Sequence, residues 1–309
     1  MKPITVLLTI LLLPTMVLVE VKKPNAQKKS SGYSSAVPKP TLSEISYGKH
    51  DRNVLDFWKA QSDSPTPVAF VIHGGGWKGG SKERFADLNA LLKAGISVVA
   101  INYRYVTSTE KPPVKAPLYD AARALQFVRS KAKAWNLDKK RIGAAGGSAG
   151  ACSSLWLAFH DDLANPKSKD PVARESSRLS CASVIGAQTT LDPKQMVERT
   201  PNSRYGGHAF GLGSFADFLK QREKILPWIA EYSPYALVSK DDPPVYLIYR
   251  APPAIGKNQK DPTHTSNFGV KLQERCKSHG VDCELVYPGL PKVKHENTTA
   301  FLISQLKSK

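Results

Sequence analysis

Residues 142–152, IGAAGGSAGAC, place one serine on a turn made almost entirely of small residues. The apolar residues 142–145 are typical of a strand end, and a helix-like run follows the turn. Glycines at 146 and 150 would relieve collisions in a tight strand–turn–helix bend that exposes the hydroxyl of Ser148 at a helix N-terminus. Ser148 is therefore a candidate nucleophile; the alternative is that it only caps the helix.

Strands and helices alternate on both sides of this turn. Apolar runs typical of strands lie at 54–60, 67–74, 96–105, 181–188, 244–250 and 283–289, and helical spacing of apolar residues lies at 82–95, 118–135, 150–162, 266–280 and 297–308. This order predicts an α/β fold with a mostly parallel central sheet and helices on both of its faces. Segment 189–240, interrupted by Gly and Pro, departs from the pattern and is predicted to be a small cap-like insertion over the ligand-binding ends of the strands.

The N-terminus has the composition of an export signal. Lys2 precedes an apolar run at 4–19, which has the length of a signal peptide and is short for a membrane span. Residues 1–26 are predicted to be the signal peptide, although Pro24 makes cleavage after Ala26 a poor fit. Residues 27–44, rich in Lys, Ser and Pro, are predicted to be a flexible leader, and 45–309 the folded domain. We expect a periplasmic or extracellular protein, with an uncleaved leader as the alternative and as the one expected contact with a membrane.

The chain is strongly basic. Its 44 Lys and Arg residues against 26 Asp and Glu residues give a formal net charge of +18. Such an excess favours anionic surfaces or polymers, so an anionic glycan is a candidate partner. No basic run is interleaved with aromatic residues, and the sequence therefore predicts no nucleic-acid binding.

Four cysteines bear on redox chemistry and metals. Cys276 and Cys283 flank a short turn between a predicted helix and strand, so an exported chain is expected to join them by a disulfide. Cys152 and Cys181 lie in apolar contexts typical of buried thiols. The Cys and His spacings match no zinc site, and we expect neither a metal nor another cofactor.

A run of glycines follows the second of these predicted strands, in VIHGGGWKGG at 71–80. Glycines allow backbone N–H groups to approach and stabilise an oxyanion formed during acyl transfer. Gly75 and Gly76, together with Ala149 after the candidate nucleophile, are the predicted donors. A phosphate-binding loop is the alternative, but the Lys-Ser/Thr pair of a nucleotide P-loop is missing. His73 is expected to hydrogen-bond this loop.

HGGGW and GGSAGA together resemble the α/β-hydrolase superfamily, in particular the esterases of the hormone-sensitive-lipase branch. The group of bacterial acetyl-xylan and feruloyl esterases is the most similar. YGKHDRNVLDFW at 47–58 is similar to the opening hairpin of that group, and 119–142 to its helix before the serine turn. The resemblance covers about 45–305 and implies an α/β-hydrolase fold with a Ser–His–Asp triad.

The family order of serine, acid and histidine directs the choice of partners for Ser148. The family's base follows the last strand, which here selects His295 in YPGLPKVKHENTTAF. The family's acid follows the penultimate strand, but prolines occupy the usual position. Asp261, beyond an extra loop at 251–260, is the predicted acid, unless it only caps the next helix. Asp192, after the preceding strand, is the alternative acid.

These features predict an exported serine esterase that removes acetyl or feruloyl groups, plausibly from polysaccharide, through an acyl-enzyme. The expected substrate is an acylated carbohydrate or another small ester. The alternatives are a broad small-ester hydrolase, a peptidase of the same fold, and a catalytically silent hydrolase-fold protein that binds anionic glycan.

Overall fold

The computed structural model describes residues 32–83, 87–106 and 109–308. The predicted signal peptide and the first residues of the predicted leader lie outside these ranges. Within them, no helix combines the length and the apolar character that crossing a membrane requires.

An eight-stranded sheet forms the centre of the domain, in the order β1-β2-β4-β3-β5-β6-β7-β8. The strands are β1 Leu42–Ser46, β2 Val54–Trp58, β3 Thr66–Ile72, β4 Ser97–Ile101, β5 Leu137–Gly147, β6 Cys181–Ile185, β7 Val245–Ile248 and β8 Cys283–Val286. β1 pairs antiparallel with β2, and β2 pairs antiparallel with β4. All pairs from β4 to β8 are parallel. The predicted α/β fold with a mostly parallel sheet is confirmed, and the carboxyl ends of its parallel strands share one edge.

Helices cover both faces of the sheet. They are α1 Leu88–Lys93, α2 Lys115–Ser130, α3 Ala132–Trp135, α4 Ala149–Phe159, α5 Pro193–Arg199, α6 Phe215–Lys220, α7 Arg222–Tyr232, α8 Pro234–Leu237, α9 Ser266–Ser278 and α10 Thr298–Lys307. The larger core lies between the sheet and α2, α4 and α9. The smaller core lies between the opposite face and α1 and α10.

The buried elements follow from their composition. All seven residues of β3 are buried, as expected for a central parallel strand that is covered on both faces. All eleven residues of α4 are buried as well, because this helix packs on the sheet and is in turn covered by other helices. The beginning of α4 is thereby held firmly at the end of β5, where Ser148 lies.

Two segments differ in detail from their predicted bounds. The segment 189–240, predicted as a small cap-like insertion, contains the four helices α5 to α8 and a 3-10 turn at Gly207–Phe210. The predicted leader 27–44 overlaps the domain, since β1 begins at Leu42. Tyr33 also packs edge-on against Trp58, with ring centroids 5.3 Å apart, and donates a hydrogen bond of 2.7 Å to Asp56. The compact unit accordingly begins at Tyr33.

The four cysteines are free thiols. Cys276 on α9 and Cys283 on β8 are neighbours, as their spacing predicts, but they are joined by a hydrogen bond between thiols rather than by the expected disulfide. That hydrogen bond and burial raise the pKa of Cys283 well above its ordinary value. Burial raises the pKa of Cys181 to about 12. Such thiols hold little thiolate at neutral pH and react slowly.

We expect oxidised glutathione to close the Cys276–Cys283 pair, with two molecules of reduced glutathione as the by-product. After treatment, quenching with acid and unfolding, thiol titration of the wild type should then find two of the four cysteines free. The Cys276→Ser variant, in which no pair remains, should titrate as three. Four free thiols in the treated wild type would show that the pair does not close.

Candidate active site

Ser148 lies on a strained turn between β5 and α4. Its backbone has φ 54° and ψ −119°, a combination rarely adopted by residues with a side chain. The N–H of Ser148 donates to the carbonyl of Ile185 at the end of β6, over 3.0 Å. The neighbouring strand therefore holds the turn in place, and the strain is that of a nucleophile elbow.

Gly146 and Gly150 are required by the close approach of the chain on both sides of Ser148. A Cβ atom at Gly150 would lie 2.0 Å from the carbonyl oxygen of Ile72, the last residue of β3. A Cβ atom at Gly146 would lie 2.5 Å from backbone atoms of Gly150. Any larger residue at these two positions would push α4 away from the sheet and displace Ser148.

His264 is the side chain that contacts the hydroxyl of Ser148. The distance from Ser148 Oγ to His264 Nε2 is 2.9 Å, and His264 Nδ1 lies 2.8 Å from Asp261 Oδ2. With Nδ1 protonated and donating to Asp261, Nε2 is left to accept the proton of the hydroxyl. The three side chains thus form a continuous Ser–His–Asp hydrogen-bonded chain.

Asp261 is held as a carboxylate by its local turn. One oxygen, Oδ1, accepts the backbone N–H groups of Thr263 and His264 at 3.2 Å each. Partial burial alone would raise the pKa of Asp261, but the hydrogen bond and charge of His264 and these backbone donors lower it below its ordinary value. Asp261 is therefore ionised at neutral pH and can orient the imidazole.

The loop that carries Asp261 is anchored on both sides. The side-chain amide of Asn202 donates to the carbonyl of Gln259 over 2.9 Å and accepts the N–H of the same residue over 3.0 Å. The buried side chain of Asn267 on α9 accepts the N–H of Ala254 over 2.7 Å. Two polar side chains outside the extra loop thus hold the loop in place, and with it the position of Asp261, which directly follows the loop.

His295, the base predicted from chain order, does not lie beside Ser148. It is buried, and its Nδ1 lies 2.7 Å from Glu284 Oε2 on β8. The backbone N–H of His295 donates to the other oxygen of Glu284 over 2.7 Å, and its ring packs edge-on against Phe301 on α10. His295 does not line the cavity into which Ser148 opens. His295 is thus bound to the carboxylate of Glu284 on the edge strand β8. The histidine that contacts Ser148 is His264 instead.

Asp192, the alternative acid, is also placed elsewhere. It caps α5, accepting the N–H of Lys194, and forms a two-pronged ion pair with Arg222 at 2.8 and 2.7 Å. Partial burial raises its pKa, yet the hydrogen bonds from Arg222 and from backbone N–H groups lower it overall. The side chain thus has a structural role in the insertion.

The glycine loop after β3 passes directly beside the elbow. A Cβ atom at Gly74 would lie 3.5 Å from Ser148 Cβ. The N–H groups of Gly75 and Gly76 donate to no other residue within the described ranges. Ala149 is the first residue of α4, where backbone N–H groups have no partner within the helix. All three predicted oxyanion donors therefore lie on segments next to Ser148 with unengaged N–H groups.

Side chains from the segment after β4, from α4 and from the insertion support this loop. The carbonyl of Gly74 accepts hydrogen bonds from His73 Nδ1 over 2.7 Å and from Tyr103 over 3.3 Å. Trp77 Nε1 donates to Ser153 on α4 over 3.0 Å. From the insertion, His208 Nε2 donates to the carbonyl of Gly76 over 3.0 Å. Burial lowers the pKa of His208 to about 4, so it is a neutral donor near pH 7.

Ser148, His264 and Asp261 open into a cavity of about 1130 Å³ at the carboxyl edge of the sheet. Its wall includes Ile185 and Leu302 as apolar side chains. Ligand pockets commonly measure roughly 300–1,000 Å³, so this cavity has room for more than a small acyl group. The position matches the rule that ligands of parallel sheets bind beyond the strand ends.

Among the described residues, a group of acidic side chains is spaced closely enough to bind a metal ion, but the ammonium group of a lysine lies between them. Glu44, Asp56 and Glu83 bring carboxylate oxygens within 4.8 Å of one another. The ammonium of Lys82 lies 3.1 Å from Asp56 and 2.9 Å from Glu83 and also pairs with Glu44. This buried cation offsets part of the acidic charge, and the cluster is a salt-bridge network that does not line the cavity of Ser148.

His264 was missed by sequence reasoning because the family order directed attention to the histidine after the last strand. Its sequence signal is the spacing from Asp261 in DPTH, a segment that follows a parallel strand. A turn of this length allows one residue's carboxylate to reach the imidazole three positions later. With Asp261 as the candidate acid, that local pairing would have pointed to His264 as a second candidate base, which the sequence analysis did not select.

Comparison with known proteins supports the resemblance seen in the motifs. The family model BD-FAE matches residues 55–253. An esterase of Gibberella moniliformis is 33% identical over 235 residues, which is 74% of this chain and 66% of that protein. The acetylxylan esterase of Xylanibacter ruminicola is 27% identical, over 52% of this chain and 36% of its own length. Several matched esterases are much longer, since the chain spans only 24–29% of three of them.

Solved structures agree with these sequence relatives. The acetyl ester-xyloside bifunctional hydrolase of Caldicellulosiruptor lactoaceticus is 25% identical, with a TM-score of 0.61 over 82% of this chain and 87% of that one. The residues that the family model matches include both the elbow at 142–152 and the glycine loop at 71–80. The chain therefore belongs to the BD-FAE family of α/β-hydrolases.

Proposed function

We propose that the protein is a serine carboxylic-ester hydrolase in which Ser148 is the nucleophile, His264 the base and Asp261 the orienting acid. The observation that carries the proposal is the hydrogen-bonded chain from Ser148 Oγ through His264 to Asp261, with links of 2.9 and 2.8 Å. Nucleophile and base lie within hydrogen-bond reach, and a third group orients the base, which is the arrangement that nucleophilic catalysis needs.

The reaction follows from the positions of these groups. His264 Nε2 accepts the proton of Ser148 as Oγ attacks the ester carbonyl, and Asp261 stabilises the imidazolium that forms. The N–H groups of Gly75, Gly76 and Ala149 stabilise the oxyanion of the tetrahedral intermediate. His264 then gives its proton to the leaving alcohol, and water attacks the acyl-enzyme with the same histidine as base.

The proposed substrate is a small acyl ester of a carbohydrate, with acetyl or feruloyl as the acyl group. The size of the cavity supports this choice, because 1130 Å³ accommodates a sugar ring beside an acyl group. Relatives named as acetylxylan esterase and acetyl ester-xyloside hydrolase support it as well. Export through the N-terminal segment is part of the same proposal, since it would bring the enzyme to polysaccharide outside the cell.

Ser148→Ala should lower kcat/KM for an aryl acetate at least about a hundredfold, because the acyl-enzyme cannot form. Release of the phenol, followed by absorbance, measures the loss. A fluorophosphonate probe should label the wild type and leave the variant unlabelled. Equal labelling of both proteins would contradict the role of Ser148.

The two candidate bases are separated by a matched pair of substitutions. His264→Ala should lower kcat by at least about a hundredfold, since it removes the only side chain in contact with Ser148 Oγ among the described residues. His295→Ala should keep kcat within a few-fold and lower the melting temperature, since it leaves the partly buried Glu284 without its partner. A large loss of kcat in His295→Ala, with kcat of His264→Ala nearly unchanged, would show that His295 is the base.

The two candidate acids allow the same comparison. Asp261→Asn should lower kcat by about 10²–10⁴-fold, because the amide no longer fixes the imidazole tautomer. Asp192→Asn weakens the ion pair with Arg222 and should lower the melting temperature with kcat nearly unchanged. Steady-state kinetics and thermal unfolding of both variants give the result, and a larger loss of kcat in Asp192→Asn would overturn the assignment.

His208 is a proposed positioning residue for the oxyanion loop. Removing its hydrogen bond to Gly76 should lower kcat about tenfold with a smaller change in KM, less than the 10²–10³-fold typical of a lost oxyanion donor. The exposed His50 provides the control, and His50→Ala should retain the wild-type kcat. A His208→Ala variant that changes only stability would show that the loop holds its shape unaided.

A further inference from the structure

Two cations line the cavity in front of Ser148. Arg250 follows Tyr249 just beyond β7, and Lys260 immediately precedes Asp261. Both side chains are exposed and both form part of the cavity wall. The two ends of the extra loop 251–260 thus each bring one positive charge to the site.

Neither cation has a partner in the structured part of the chain. Arg104, for comparison, forms a salt bridge of 2.8 Å with Asp120, and Arg222 pairs with Asp192 and Glu223. The side chains of Arg250 and Lys260 form no hydrogen bond or ion pair with any residue within the described ranges. Their donors are therefore available to a ligand in the cavity.

The acids of the same wall do not neutralise them. Asp261 is engaged by His264 and by two backbone N–H groups. Asp87 precedes α1 and accepts from Thr299 on α10 over 3.3 Å, so it belongs to the part of the wall formed by those helices. The segment next to the triad that carries Arg250 and Lys260 is locally basic.

We propose that Arg250 and Lys260 form a subsite for an anionic group of the substrate, so that the preferred esters carry a carboxylate or sulfate beside the scissile bond. This inference rests on the proposed ester hydrolysis and narrows its substrate class to acylated acidic saccharides or similar anionic esters. Guanidinium and ammonium groups are the side chains that bind carboxylate and sulfate oxygens most strongly. A concave basic wall also concentrates anionic substrates, an effect that weakens as salt is added.

The test compares 4-acetoxybenzoate, 4-acetoxybenzenesulfonate and the neutral 4-acetoxybenzamide as substrates of wild type, Arg250→Gln/Lys260→Gln and Lys257→Gln. Lys257 is an exposed lysine of the same loop that does not line the cavity, so its variant removes charge without touching the subsite. The ratio of kcat/KM for anionic over neutral ester should fall about tenfold in the double variant, mainly through KM. In Lys257→Gln the ratio should stay at its wild-type value. The carboxylate and sulfonate arms report which anion is preferred.

An unchanged ratio in the double variant, or an equal fall in Lys257→Gln, would overturn the subsite. Failure of ester hydrolysis itself would appear separately, as no turnover of any of the three esters by the wild type. Calorimetric titration of Ser148→Ala with 4-acetoxybenzoate and with the amide then decides the inference without turnover. The subsite is supported if Ser148→Ala binds 4-acetoxybenzoate more tightly than the amide, and if this preference disappears when Arg250→Gln and Lys260→Gln are added. Equal binding of the two compounds by Ser148→Ala refutes it.

Discussion

The contact between Gly150 at the start of α4 and the carbonyl of Ile72 at the end of β3 is the constraint on which the site depends. No side chain fits there, since even a Cβ atom would lie 2.0 Å from that oxygen. The closeness brings the N-terminus of a fully buried helix onto the edge of the sheet. It also forces Ser148 into its strained backbone conformation and places the glycine loop, which continues from Ile72, beside the same residue. The proposed nucleophile and the proposed oxyanion donors are thus positioned by one packing contact.

The positions of the proposed base and acid depend on a different and more local arrangement. Asp261 and His264 lie three residues apart in one loop, with backbone N–H groups turned onto the carboxylate that orients the imidazole. In this arrangement the acid and the base move together, so one anchor suffices for both. Asn202 and Asn267, through their hydrogen bonds to the extra loop, provide that anchor from outside. The side chains of His264 and Asp261 remain 39% and 61% exposed, which leaves the dyad open to substrate and solvent.

The parts of the molecule that follow from local chemistry could be predicted from the sequence. The buried strands are continuous apolar runs, and the elbow needs glycines at fixed positions around Ser148, so the fold and the position of the hydroxyl were accessible. Prolines occupy the position where the family's acid usually lies, so the search continued along the chain and selected Asp261, beyond the extra loop, as the candidate acid. The contact of His264 with Ser148 was not predicted, because His264 and His295 both follow parallel strands and differ only in tertiary context. The carboxylate of Glu284 on β8 binds His295 and so keeps it from Ser148. No sequence pattern predicts that contact.

The extra loop 251–260 connects this difference to specificity. A loop inserted before the acid lengthens the wall of the cavity at the carboxyl end of β7, and its two ends carry Arg250 and Lys260. The same backbone that displaces Asp261 along the sequence therefore also places two cations on the wall of the cavity. Asn202, a residue of the insertion after β6, anchors this loop by a hydrogen bond to Gln259. The same insertion carries His208, which hydrogen-bonds the glycine loop at Gly76. Through Asn202 and His208, the insertion therefore contacts both the loop whose ends carry the two cations and the glycine loop beside Ser148.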